Sequence, residues 1–81
     1  MTGSLLYLPD VITGHPKTYE FTPIYDNDHK VKGVTVSVFD GRYSLKDIER
    51  AEVDGCFSLD REAWAVLNSM VRSLFEAKKK E

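Results

Sequence analysis

The sequence predicts an α+β fold: three or four antiparallel strands, with one face of the sheet covered by a long amphipathic C-terminal helix. Three features carry the prediction. Residues 31–39 (VKGVTVSVF) set Val34, Val36 and Val38 in alternation with Thr35, Ser37 and Phe39, the period of two of a strand with one face on a core. Residues 18–25 (TYEFTPIY) repeat aromatic side chains on the same kind of alternation, and the polar residues 26–30 (DNDHK) between them join the two as a hairpin. Residues 59–78 contain neither Gly nor Pro and return apolar side chains at helical spacing.

Taken in order, residues 4–8 (SLLYL) form a first strand, ended by Pro9 and Asp10. Residues 10–17 (DVITGHPK) are interrupted by Gly14 and Pro16 and form a surface connection that leaves His15 exposed. Pro23 cannot donate a ladder hydrogen bond, so the strand over 18–25 is expected at a sheet edge or with a bulge. Asp40 and Gly41 start a turn, after which residues 42–45 add a short strand. Two readings fit the stretch from Ser44 to Ser58. Residues 44–51 can make a short capped helix stopped by Gly55; the preferred alternative is a hairpin with Asp54 and Gly55 as the tight turn between 50–53 and 56–58.

Ser58 or Asp60 can cap the final helix, and Asp60 and Glu62 put negative charge at its start. At about 100° per residue, Ala63, Leu67, Met70 and Leu74 form a central stripe directed at the sheet. Leu59 and Val66 flank it on one side, and Trp64, Val71 and Phe75 on the other, while Arg61, Ser69, Arg72 and Glu76 make the wet face. The apolar arc sweeps roughly 180°, more than the ~100° that capping a sheet requires. Trp64, Val71 and Phe75 are therefore the expected contact residues between chains, because aromatic anchors of this kind dominate protein interfaces.

Eighty-one residues make one domain, 1–81, with the sheet in 4–58 and the helix in 59–78. A chain of this size hides only about 60% of its surface on folding. Cys56 is the only cysteine, so no internal disulfide can supplement the core, and a second copy or a partner protein is the expected supplement. Hydrophobic content of 42%, charged content of 30% and a net charge of -2 are the profile of a folded soluble chain, for which the cytoplasm is the default compartment. No apolar run approaches the ~20 residues of a membrane span, and no signal peptide is expected. The acidic balance argues against a duplex-binding protein. The basic run Lys78, Lys79 and Lys80 suits the negative end of the helix dipole.

Chemistry finds little support. Cys56, His15 and His29 are the minimum inventory for a nucleophile and base, but the histidines fall in separate loops, and Cys56 reads as a small core residue. Asp26, Asp28 and His29 lack the spacing and closing Glu of a calcium loop and read as a solvated turn. Asp40, Asp47, Glu49, Glu52 and Asp54 are interleaved with Arg42, Lys46 and Arg50, as on a balanced surface. No catalytic residue, metal or cofactor is expected. The expectation is a non-catalytic protein-binding or regulatory accessory module, homodimeric, of a kind that phages and mobile elements often encode.

The competing expectation is a single-stranded nucleic-acid binder that stacks bases on Tyr19, Phe21, Tyr25, Phe39 and Tyr43, with Lys17, Lys30, Lys32 and Arg42 nearby in sequence. Strands followed by an amphipathic helix, and the segment 56–67 (CFSLDREAWAVL), are similar to the end of the Whirly-type coactivators that bind single-stranded DNA. The likeness spans about a dozen residues. The approach to that last strand, residues 51–55, is acidic here and lacks that family's basic character, so no residue role is taken over from it.

Overall fold

A computed structural model describes residues 4–77. Its elements are β1 (Ser4–Pro9), β2 (Pro16–Tyr25), β3 (Val31–Asp40), a 3-10 turn (Ile48–Arg50), β4 (Gly55–Asp60) and α1 (Arg61–Glu76). The strands form one antiparallel meander in the order β1-β2-β3-β4. The α+β class, the antiparallel sheet and the C-terminal helix are those the periodicities predict.

Register decides which side chains share a face. Leu6, Tyr19, Val38 and Gly55 lie in one row across the strands, and Ser4, Phe21, Val36 and Phe57 in the next. Because strands alternate, these rows together form an apolar face that also carries Val34 and Leu59. The opposite face carries the row Tyr7, Thr18 and Phe39. Residues 41–50 fold back against this second face. Tyr43 meets Phe39 edge-on at 6.2 Å, the Tyr7 hydroxyl donates to the Tyr43 carbonyl at 2.7 Å, and Phe39 and Ile48 are buried.

Several local expectations change for physical reasons. Residues 42–45 form no strand, and the 50–53 hairpin gives way to the 3-10 turn, because Ile48 is apolar and is drawn inside at 5% exposure. The Ser44 and Asp47 side chains hold the start of that turn through a hydrogen bond of 3.1 Å. β2 is an inner strand and not an edge one, while the alternative of a bulged strand is met by an irregular register at its end. It accommodates Pro23 beyond Ser4–Phe21, the last described β1 pair, and the register shifts at Ile24/Tyr25. Cys56 is exposed and not part of the core: it pairs with Ser37 on an edge strand and points away from the apolar rows.

The sheet runs to Asp60, two residues further than expected, and the helix spans Arg61–Glu76 in place of 59–78; Lys78, like the rest of the basic run, lies outside the described residues. Asp60 is the N-cap, its Oδ1 accepting from the Ala63 amide at 2.8 Å, while the Ser58 hydroxyl is engaged with that of Thr35.

No residue separates β4 from α1. A strand whose following helix folds back over its own sheet needs a connection of about 2–6 residues, and here the helix leaves the sheet directly. Its first turns are held. The Trp64 indole N–H donates to the Val34 carbonyl at 3.3 Å, its ring lies 5.8 Å from Phe57, and the Arg61 guanidinium reaches the Val31 carbonyl at 3.4 Å. Ala63 and Trp64 are half-buried, but no residue of α1 is fully buried. Of the stripe directed at the sheet by periodicity, Leu67, Met70 and Leu74 are exposed, Leu74 at 76%.

Candidate interaction surface

The consequence of that missing connection is an open apolar trough of about 550 Å³ along the helix. Leu59, Ala63, Val66, Leu67, Met70, Val71 and Leu74 line it. Leu59 also belongs to β4, where it stands on the same face as Phe57, so the trough and the apolar sheet face are continuous. That face is itself open at Leu6, Leu8 and Phe57, each between 43% and 48% exposed. Separately scattered apolar side chains on a surface are ordinary; here they are contiguous.

The three residues expected to form one ridge are placed differently. Trp64 is engaged with its own sheet through Val34 and Phe57. Val71 lines the trough and is 40% exposed; Phe75 lies near the end of the helix at 85%. The surface is thus the central stripe plus Val71 and Phe75, with Trp64 as the anchor that orients it. Periodicity identified the stripe but assigned it to the interior. The signal that would have corrected this is the strand alternation running up to the Asp60 cap, which leaves no residue for a reversal.

The polar groups show local structural uses. Asp10 accepts hydrogen bonds from the amides of Thr13 and Ile12, which hold its carboxyl below the ordinary value of 3.8. In the next loop the Asp26 carboxylate accepts from the amides of Asp28 and Lys30, while His29 takes a left-handed φ of 60°. Lys17 lies 3.5 Å from Asp40 and 3.3 Å from Asp54. Partial burial pulls its pKa down, but the hydrogen bond to Asp54 and the charges of both carboxylates outweigh this and raise it above 10.5.

His15 precedes β2 and His29 follows it, so a ten-residue strand, about 30 Å, separates them. Neither is brought to Cys56 as a base. Among the described residues no group of three or more His, Cys, Asp and Glu could hold a metal ion, and no helix is long and apolar enough to cross a membrane. The aromatics are divided between the two faces: Tyr19 and Phe21 on the apolar one, Phe39 and Tyr43 packed together on the other. Arg42 lies 4.7 Å over the Tyr7 ring and Lys17 is ion-paired, so these two cations are engaged within the chain. Comparisons with family models, curated proteins and solved structures found no match.

Proposed function

We propose that this chain is a non-catalytic protein-binding module of regulatory or accessory type, working through the apolar surface that joins α1 to the open sheet face. One observation carries the reading: among the described residues the helix stripe from Val66 to Phe75, amphipathic by sequence, stays exposed, from 37% at Leu67 to 85% at Phe75. An amphipathic helix derives most of its stability from burying its apolar face, and a partner protein supplies that burial.

The test is Phe75→Glu, at the most exposed apolar position of the helix. The variant is expected to keep its circular dichroism spectrum and to lose association in light scattering. Unfolding of the variant, with the unmodified protein a monomer in light scattering, would place Phe75 inside a closed monomer and overturn the reading, since an unpaired carboxylate in an apolar interior is far more costly than one in water. Single-stranded nucleic-acid binding has less support, because the aromatics do not share a platform. A salt-dependent shift of a labelled oligonucleotide would reverse that order.

A further inference from the structure

We infer that the surface is closed by a second copy of this chain, with α1 of each protomer lying over the apolar sheet face of the other. The inference rests on the reading of that surface as a protein-binding one and names its occupant. Surface area points to it first. A folded monomer of 9.2 kDa is expected to expose about 4,900 Å², whereas this chain exposes 6995 Å². The surplus is about 2,100 Å² per chain. Obligate homodimers bury roughly 2,000–5,000 Å² in total, or about 1,000–2,500 Å² from each partner. Half of the surplus already meets that requirement.

Self-complementarity points the same way. The chain carries two unpaired apolar halves, a helix stripe and a sheet face, which would normally pack on each other. The direct passage from Asp60 into Arg61, with Trp64 and Arg61 tied to β3, confines their meeting in one chain to the first turns of the helix, at Leu59, Ala63 and Trp64, and leaves Met70 and Leu74 beyond it. A two-fold axis lets each helix cover the partner's sheet, so both halves are buried at once and the assembly closes at two chains. Pairing of the helices alone would leave Leu6, Leu8 and Phe57 in water, and would use only a narrow seam of an arc about 180° wide.

The experiment uses the unmodified protein. Isotope-labelled and unlabelled chains are mixed, dissociated in urea and refolded together. Mass is read by light scattering, and contacts between chains by isotope-filtered NMR. The expected result is twice the chain mass, with contacts from the methyls of Leu67, Met70 and Leu74 in one chain to Tyr19, Phe21 and Phe57 in the other. A dimer whose only contacts between chains are helix to helix overturns the inference and leaves the protein-binding reading intact. A monomer with no helix-to-sheet contact does the same, since the surface then awaits another protein. A monomer in which these methyls touch the sheet of their own chain overturns both.

Discussion

Thr18 is fully withdrawn from water, and its hydroxyl joins two segments far apart in sequence. It donates to the Gly41 carbonyl at 2.8 Å and accepts from the Tyr43 amide at 3.0 Å, fixing the fold-back of residues 41–50 on the sheet. Thr18→Val keeps the shape and removes both bonds. It is expected to lower unfolding free energy by about 1–3 kcal/mol in urea titrations, because two backbone groups lose their partner where water has little access. At Asp10 the prediction concerns pH. Its carboxyl is held below 3.8 by the Thr13 and Ile12 amides, so the folded state binds that proton less readily than the unfolded chain. The stability it contributes is present above the unfolded value and is lost as pH falls through the lowered one. Carbon-detected NMR titration should find the Asp10 midpoint below that of an unfolded reference peptide, and Asp10→Ala should remove this part of the acid dependence. Asp10 before a Gly-containing loop is readable as a turn residue from sequence. The role of Thr18 is not, since it depends on a carbonyl 23 residues away.

At the scale of elements, the junction of β4 and α1 controls the direction of the helix. A Cβ on Gly33 would stand 2.7 Å from the Leu59 carbonyl oxygen, which is backbone and cannot swing aside. Gly33→Ala must displace β4 or tilt the helix, and a loss of about 1–3 kcal/mol is expected by chemical denaturation. Trp64→Phe keeps an aromatic ring beside Phe57 but gives up the bond to the Val34 carbonyl, and should cost about 1 kcal/mol. If Trp64→Phe left stability unchanged, the indole would not be the anchor of the helix. The first three strands and the helix were legible, and its cap was narrowed to Ser58 or Asp60, because alternation and the 3.6-residue period are local properties. The 3-10 turn was not legible, because residues 44–53 carry short-range signals for both a capped turn and a hairpin. Burial of Ile48 against the folded sheet separates the two.

The whole molecule is flat and extended for its chain length. The principal extents are 47 × 35 × 15 Å and the radius of gyration is 15.2 Å, whereas a compact chain of this length is expected at about 12 Å. The fully buried apolar residues among those described are Val36, Phe39 and Ile48, a small core for a domain of any stability. Leu67→Ala discriminates between folding alone and folding with association. In a closed monomer it would cost about 2–5 kcal/mol at every protein concentration. In the two-fold assembly the urea midpoint of the unmodified protein rises with concentration, because unfolding is linked to dissociation by mass action, and Leu67→Ala needs a higher concentration to reach the same midpoint. A midpoint that is independent of concentration for both proteins would count against association.

By itself the sequence determined the class of the fold, the identity of β1, β2, β3 and α1 and the apolar arc of the helix, since each depends on residue spacing along a few turns or pleats. Only the tertiary structure decided what that arc faces. Periodicity says that Ala63, Leu67, Met70 and Leu74 lie on one side of a helix, and the nearest apolar surface in the chain is the sheet, so the sequence directs them there. The direct step from the strand at Asp60 into the helix, the indole bond to Val34 and the bare backbone at Gly33 hold the first turns of the helix on the sheet and leave Met70 and Leu74 exposed. The direction of an element is set by the geometry of its junction and by contacts distant in sequence, and a hydrophobic period carries no information about either.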